Sequence, residues 1–393
     1  MKRIIWCTPG RSDEAAWIAG VTQHGFTVIR RCVEAADLLA AASIEPDADI
    51  VVDVDTPRLG ADAFAALPQS RARRIIALAA DERGAISARA WGVDSVIEGC
   101  GGSTIDEITA ALRSAPLGQR PPERTSDAPP SMGGRVVVVY GPTGSPGRST
   151  VALGLAESWA QAGERVCLVD ADTVAPSLAF MVGMTEDVSG VLVAARYADQ
   201  GALDARSLGS SCRRLKDRLW LMSGIGSPDR WLYVRPAALD RVWQSCARHF
   251  DRVVVDVNPL LNTVEADDPL AGALPARDST TRSALRASDA VVLVSRSDPL
   301  NMSRLLTDIP SIQGLLDHAR IEVVVNRVPR RKTAIRSRVR EALMESGYAF
   351  PAHLIPDDAA VPTCIASGAL LGESSVSGRV RRSFRRVRDQ LAA

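Results

Sequence analysis

The sequence predicts an α/β chain of two doubly wound domains, and three observations carry that expectation. Short apolar runs alternate with helix-length segments along nearly the whole chain. A Pro- and Gly-rich stretch without apolar periodicity, 116–134, separates the alternation into two blocks, 1–115 and 135–393. A glycine-rich turn at 141–150 stands between an apolar run and a helical segment. At 393 residues and 46% hydrophobic content, the chain has length for two or three domains and apolar surface for packed cores.

In the first block, strand-like runs fall at 3–6, 27–30, 49–54, 74–78 and 95–97, with helical segments at 13–24, 35–42, 61–67, 82–91 and 105–113. Five strands interleaved with five helices predict a flavodoxin-like doubly wound sheet. Asp53-Val54-Asp55-Thr56-Pro57 and Gly92-Val93-Asp94-Ser95 give this layout a resemblance to a response-regulator receiver domain. Asp53 falls at that family's phospho-acceptor position, four residues before Pro57. The acidic pair expected after the first strand is replaced by Trp6-Cys7-Thr8-Pro9, and the Lys-Pro after the fifth by Gly99-Cys100. The resemblance therefore implies a pseudo-receiver used for docking or dimerisation, with Asp53 a solvent-facing acid at a strand end. The linker is expected to be extended and poorly ordered.

The second block opens on the apolar run 135–140, the turn Gly141-Pro142-Thr143-Gly144-Ser145-Pro146-Gly147-Arg148-Ser149-Thr150, and a helical segment at 151–159. Strand, glycine-rich turn and helix form the context in which main-chain N–H groups and the positive helix end can face phosphates. Gly144, Ser145, Pro146, Gly147, Arg148, Ser149 and Thr150 are the phosphate-binding candidates, and Ser149 sits where a hydroxyl would ligate Mg²⁺. The pattern G-x-x-x-x-G-K-[ST] is only partly met, because Arg148 takes the lysine position and exchanges a compact ammonium for a planar fork. Further strands are expected at 165–170, 219–222, 252–256, 290–294 and 322–326. Most are continuous apolar runs, as strands covered on both faces require.

Three of these strands end in side chains suited to a nucleotide. Val169-Asp170-Ala171-Asp172 places two carboxylates at a strand end, where ligands of open α/β sheets bind. Val253-Val254-Val255-Asp256 has the form of an apolar strand ending in a carboxylate that holds Mg²⁺ through water. Val323-Val324-Val325-Asn326-Arg327 ends in an amide that can both donate and accept, as an adenine edge demands. In this order the elements resemble the MinD/ParA class of deviant-Walker ATPases, over most of 135–375. With a receiver-like domain in front, the architecture resembles the TadZ/CpaE type that localises pilus machinery, and septum-site-determining-like proteins look similar. The resemblance implies ATP and Mg²⁺ as ligands, Ser149 and Asp256 at the metal, and Asp172 positioning the attacking water. Arg148 stands in the lysine position, and Asn326, Arg327, Pro356 and Asp358 lie on the adenine side. The family's signature lysine aligns with Thr143, so the contact it makes to a partner subunit's nucleotide is absent.

Composition excludes several classes. Net charge is +1, and seven cysteines are scattered without C-x-x-C, which argues for reduced thiols in the cytoplasm and against structural zinc. No apolar run reaches the ~18–20 residues of a membrane span, and the N-terminus meets Pro9-Gly10 too early for a signal peptide. Residues 321–393 carry 13 Lys/Arg against 7 Asp/Glu, a net +6. There Val380, Phe384, Val387 and Leu391 share one helical face while arginines cover the other. That helix reads as a packed terminal element, as an interfacial helix on anionic lipid at the inner membrane face, or as a nonspecific DNA contact. The expected activity is slow ATP hydrolysis by a positional regulator, with a nucleotide-dependent self-dimer and a pilus, secretion or division partner bound by 1–115. A non-hydrolysing nucleotide-binding scaffold and a DNA-binding partition ATPase stay open as alternatives.

Overall fold

Two sheets organise the chain. The computed structural model describes residues 2–392 apart from 58, 61, 62, 65, 68–72, 92, 100–103, 115–133, 145, 146, 185–187, 262–275 and 330–333. The expected linker (except Gly134), residues 61, 62 and 65 of the expected 61–67 helix, and 262–275 lie outside the described residues.

The first sheet is built from β1 (Lys2–Cys7), β2 (Phe26–Cys32), β3 (Asp49–Asp53), β4 (Ile75–Ala79) and β5 (Ser95–Glu98). Its strands run parallel in the order β2-β1-β3-β4-β5, a doubly wound order. Helices α1 (Glu14–Gln23), α2 (Ala35–Ile44), α3 (Glu82–Ala90) and α4 (Thr104–Arg113) supply the crossovers among the described residues. Alternation along β1 feeds two cores. Ile5 and Cys7 pack with Leu38 and Leu39 of α2, while Ile4 and Trp6 pack with Trp17 of α1 and Ile108 of α4. Asp53 departs from expectation. It is fully buried rather than solvent-facing, and its carboxylate pairs with Arg11 at 2.8 Å and accepts the Asp55 N–H. Arginine from the loop after β1 thus offsets the buried charge of Asp53.

The second sheet has eight strands in the order β13-β12-β11-β6-β10-β7-β9-β8. They are β6 (Arg135–Tyr140), β7 (Val166–Ala171), β8 (Arg213–Lys216), β9 (Leu219–Met222), β10 (Arg252–Val257), β11 (Ala290–Arg296), β12 (Arg320–Val328) and β13 (Ala352–Pro356). All pairs are parallel except β8 with β9. The expected strands form its interior, and β8 and β13 are additions at the two edges. Their sequences hid them: β8 reads Arg-Arg-Leu-Lys, the charged composition that protects an edge, and β13 is mostly half-buried, so neither is a continuous apolar run. Chain order reverses at β6, with β10, β7 and β9 to one side and β11, β12 and β13 to the other. Ligands of open α/β sheets bind at such a point, beyond the carboxyl ends of the strands.

Helix α5 (Arg148–Gln161) follows β6 and is buried along most of its length. The last helix, α14 (Gly378–Ala392), lies against it, with Val380, Phe384, Val387 and Leu391 all buried. The Phe384 ring occupies the space over Gly154, where a Cβ would meet it at 2.4 Å. Arg388 donates to the Ser158 carbonyl at 3.0 Å, and Arg135 to the Leu391 carbonyl at 3.4 Å. The apolar stripe is therefore consumed by α5, which removes the face an interfacial membrane helix would insert. Arg379, Arg382, Arg385 and Arg386 stay exposed on the other side. No helix among the described residues is long and apolar enough to cross a membrane. Cys167 of β7 and Cys212, far apart in sequence, bring their sulfurs to 3.9 Å, well beyond a disulfide bond.

Glu157 locks the tail connection to α5. Its carboxylate is buried and accepts the Leu371 N–H at 2.8 Å and the Gly372 N–H at 2.7 Å. Burial raises its pKa from 4.5 to about 7, against the lowering effect of those two N–H groups. Between about pH 4.5 and 7 the folded state therefore binds a proton that the unfolded chain has lost, and stability falls as pH rises through that window. The full loss amounts to about 3 kcal/mol at most. Glu157→Gln should flatten this slope in denaturation series between pH 5 and 8, and an unchanged slope would assign it to other groups. Phe384→Ala should cost about 3–5 kcal/mol in the denaturation midpoint, and a loss below ~1 kcal/mol would show that α14 does not depend on this contact.

Candidate functional site

The carboxyl ends of β6, β10 and β7 lie side by side, so the loop after β6 meets the acids that end the other two strands. Gly144 and Gly147 hold the loop with φ of +105° and +88°, conformations that L side chains avoid. At Gly147 the constraint is doubled, because a Cβ would lie 2.5 Å from the Asn326 amide nitrogen. Arg148, Ser149 and Thr150 form the first turn of α5, whose free N–H groups and positive dipole end face the loop. Ser145 and Pro146 lie outside the described residues.

Arg148 turns inward. It is 8% exposed, donates to the Gly141 carbonyl at 3.2 Å, and pairs with Asp172 Oδ2 at 3.2 Å. The other oxygen of Asp172 accepts the Val174 and Ala175 N–H groups, each at 2.8 Å. Asp170 holds the segment that follows: its oxygens accept the N–H groups of Asp172, Ser177 and Leu178, the last two capping α6 (Leu178–Met181). Ser177 in turn donates its hydroxyl to Ser149 Oγ at 2.8 Å.

Asp256 differs from its neighbours. It is fully buried, and neither carboxylate oxygen has a hydrogen-bond partner. Burial, then the charge of Asp170, its register partner on β7, push its pKa well above the ordinary range. The Ser149 hydroxyl and the Arg148 charge offset only part of this. Burial likewise raises Asp170 to about 7, with Asp172 adding repulsion and the three N–H donors opposing it. A buried carboxylate with no hydrogen-bond partner, beside a helix N-terminal hydroxyl, is a site that a hard cation with oxygen ligands and waters would satisfy. Ser149 and Asp256 therefore fit Mg²⁺. Among the described residues no group of three or more His, Cys, Asp or Glu forms a metal cluster by itself, so other ligands would have to be water or phosphate.

On the other side of the loop, Thr150, Asn326, Arg327, Pro356 and Asp358 line one cleft, roofed by Val380 and Phe384 of α14. It holds ≈ 30 Å³, room for about two waters, so a purine enters only if rim side chains move outward. Two expected base contacts have other duties. Asp358 accepts the Ala360 N–H and the Ser377 N–H, both at 3.0 Å, and so ties α13 (Ala360–Ala366) to the segment before α14. Asn326 Oδ1 accepts the N–H of Arg327 at 2.9 Å, which steadies that residue at φ +53°. The Asn326 amide nitrogen faces Gly147.

The family model described as the CobQ/CobB/MinD/ParA nucleotide binding domain matches residues 137–371, more than half of the chain. The chain belongs to this family. Curated protein sequences gave no match. Among solved structures, the cell division ATPase MinD of Pyrococcus furiosus is 19% identical with a TM-score of 0.52, covering 66% of this chain and 98% of its own. A ParA family ATPase from Chlorobium tepidum is 16% identical with a TM-score of 0.53, covering 66% and 98%. MinD from Pyrococcus horikoshii, determined with Mg-ADP, is 15% identical with a TM-score of 0.51, covering 65% and 95%. At these identities the likeness concerns the fold. The MinD/ParA fold surrounds the acids and loop described above.

Several residues of the site were not legible beforehand. Ser177 lies in the segment after Asp172 with no role assigned to it from the sequence, and Asn258 is a polar loop residue without motif spacing. Asn258 is fully buried and donates to Thr173 Oγ1 at 2.8 Å and to the Arg277 carbonyl at 2.9 Å, closing the far wall. Arg304, from the helix after β11, donates to the Thr143 carbonyl at 2.9 Å, and only the fold brings it to the loop. The unpartnered state of Asp256 predicts a measurable trade. Asp256→Asn should stabilise the nucleotide-free protein at pH 8 by about 1 kcal/mol or more, or about 2–4 °C in melting temperature. The same substitution should abolish stabilisation by Mg²⁺ with nucleotide. A lower melting temperature for the variant would show that Asp256 is already satisfied.

Proposed function

We propose that the chain binds ATP with Mg²⁺ over the 141–150 loop and hydrolyses it slowly, as a positional regulator of the MinD/ParA type. The observation that carries this reading is Asp256, fully buried with both oxygens unpartnered beside the first turn of α5. A protein retains such a charge when a ligand satisfies it. Phosphates would lie over the N–H groups of Gly144 to Thr150, Mg²⁺ at Ser149 and Asp256, and the base at the cleft of Asn326, Arg327 and Pro356. When bound, the ion would offset phosphate charge; the chain's own residues must position the water. Asp172 is the residue for that role, and both its oxygens are engaged, one by Arg148 and one by two N–H groups. Phosphate must compete for Arg148 before Asp172 Oδ2 is free, which supports slow turnover.

By resemblance of the 1–115 domain to a pseudo-receiver, that domain recruits the ATPase to a pilus, secretion or septum assembly, as in the TadZ/CpaE type. The buried Asp53–Arg11 pair fits docking rather than phosphorylation. A second reading, a nonspecific DNA contact, draws on the exposed Arg379, Arg382, Arg385 and Arg386. Calorimetry on the full chain should give saturable Mg-ATP binding that weakens at least tenfold in EDTA. Single-turnover hydrolysis should exceed the buffer background in wild type and fall to it in Asp172→Ala. Absence of binding rejects the proposal, whereas equal rates in both proteins leave a non-hydrolysing scaffold. Salt-dependent DNA retention, lost on replacing the four arginines, would select the partition-type role.

A further inference from the structure

A cation from outside the loop stands against its first half. Arg304 lies on α11 (Pro299–Gln313), the helix that follows β11. Its Nη1 donates to the Thr143 carbonyl at 2.9 Å and would lie 2.5 Å from a Cβ on Gly144. No carboxylate pairs with Arg304 among the described residues. One turn earlier on α11, Asn301 is 9% exposed, and its Oδ1 is buried without a partner, 3.7 Å from the same Gly144 position. The amide nitrogen of Asn301 is fixed by both oxygens of Asp298 at 3.0 Å.

The helix is held in place at this point. Asp308, four residues beyond Arg304 and on the same face, accepts the Tyr140 hydroxyl at 2.7 Å at the end of β6. Asp298 caps its N-terminus through the Asn301 N–H at 3.1 Å. Arg304 is therefore a guanidinium on an anchored element, with one N–H on a main-chain carbonyl and the rest of its fork unclaimed among the described residues. Planar forks of this kind match phosphoryl oxygens. The loop gives a direction as well. Thr150 lines the cleft with Asn326 and Pro356, and Gly147 faces Asn326, whereas Gly144 faces Arg304 and Asn301. A phosphate chain that begins at the cleft reaches Arg304 last.

We infer that Arg304 contacts the terminal phosphate of a bound nucleoside triphosphate, supplying within one chain the positive charge that neutral Thr143 does not. The inference rests on the nucleotide reading of the loop. It makes triphosphate recognition a property of the single chain. Asn301 Oδ1 beside it would accept from a water on the same phosphate.

The test is calorimetry of the full chain with Mg-ADP and with Mg-AMPPNP, on wild type, Arg304→Ala, Arg304→Gln and Arg304→Lys, at concentrations where sedimentation shows monomer. The Ala and Gln variants should lose at least tenfold in affinity for AMPPNP and less than twofold for ADP, with melting temperatures unchanged, and Lys should recover part of the loss. Gln keeps a donor for the Thr143 carbonyl without the charge, so wild-type AMPPNP affinity in that variant overturns the inference. Equal losses for ADP and AMPPNP also overturn it, by reducing Arg304 to a support for the loop. Discrimination found only in a dimer overturns the single-chain assignment. Wild type binding neither nucleotide rejects the nucleotide reading itself, and this inference with it.

Discussion

Three carboxylates crowd one buried edge of the second sheet, and the arrangement around it follows from how each is compensated. Register sets the problem: Asp256 and Asp170 are directly paired on adjacent strands, and Asp172 follows two residues later. Charges buried this close cannot all remain ionised without donors or cations. Asp170 is satisfied by three main-chain N–H groups and so fixes the segment leading into α6. Asp172 is satisfied by Arg148 and two more N–H groups. Asp256 has no hydrogen-bond partner, and only the nearby Ser149 hydroxyl and Arg148 charge oppose the effect of its burial.

The substitution of arginine for lysine at 148 gains meaning from this charge balance. A lysine ammonium is a compact charge that can serve one oxygen at a time from a flexible stem. The guanidinium bridges the Gly141 carbonyl and Asp172 together, and so ties the start of the loop to the acid it must later release. Binding a polyanion would redistribute this charge, because phosphate and Asp172 compete for one fork. Any turnover at this site would be limited by an exchange of partners inside a buried site, where desolvation makes each partner costly to give up. Arg304 lies outside that exchange, since its only partner among the described residues is a carbonyl.

Much of the second domain was readable from sequence because strands buried on both faces must be apolar throughout. Val136 to Tyr140 and Val253 to Asp256 carry that mark, and side chains that end such strands lie at the ligand edge by construction. Legibility fails where burial is partial or the contact is long-range. Edge strands β8 and β13 lack apolar continuity for that reason. Asp358 and Asn326 sit in the cleft with their neighbours, yet their side-chain oxygens serve local N–H groups, and no spacing rule tells a cap from a ligand. Asp53 misled in the same way. A strand-end acid reads as solvent-facing until an arginine from another loop covers it. The amphipathic tail was ambiguous because a stripe of Val380, Phe384, Val387 and Leu391 fits lipid and protein equally well, and only Gly154 on α5 decides between them.

The tail helix also connects the ends of the molecule energetically. Val380 and Phe384 line the cleft of Asn326 and Pro356 and at the same time pack on α5, whose first turn borders the loop. A ligand that opens the cleft must press on α14, and anything that grips the exposed arginine face of α14 acts on the same contact from outside. Linkage makes such an effect reciprocal: if nucleotide alters the hold on that face, the occupant of the face alters nucleotide affinity by the same factor. Glu157 sets how stiff the connection is, because its carboxylate anchors the 371–372 turn to α5 and its proton occupancy changes near neutral pH. The tail thus touches the site through packing that also serves the fold.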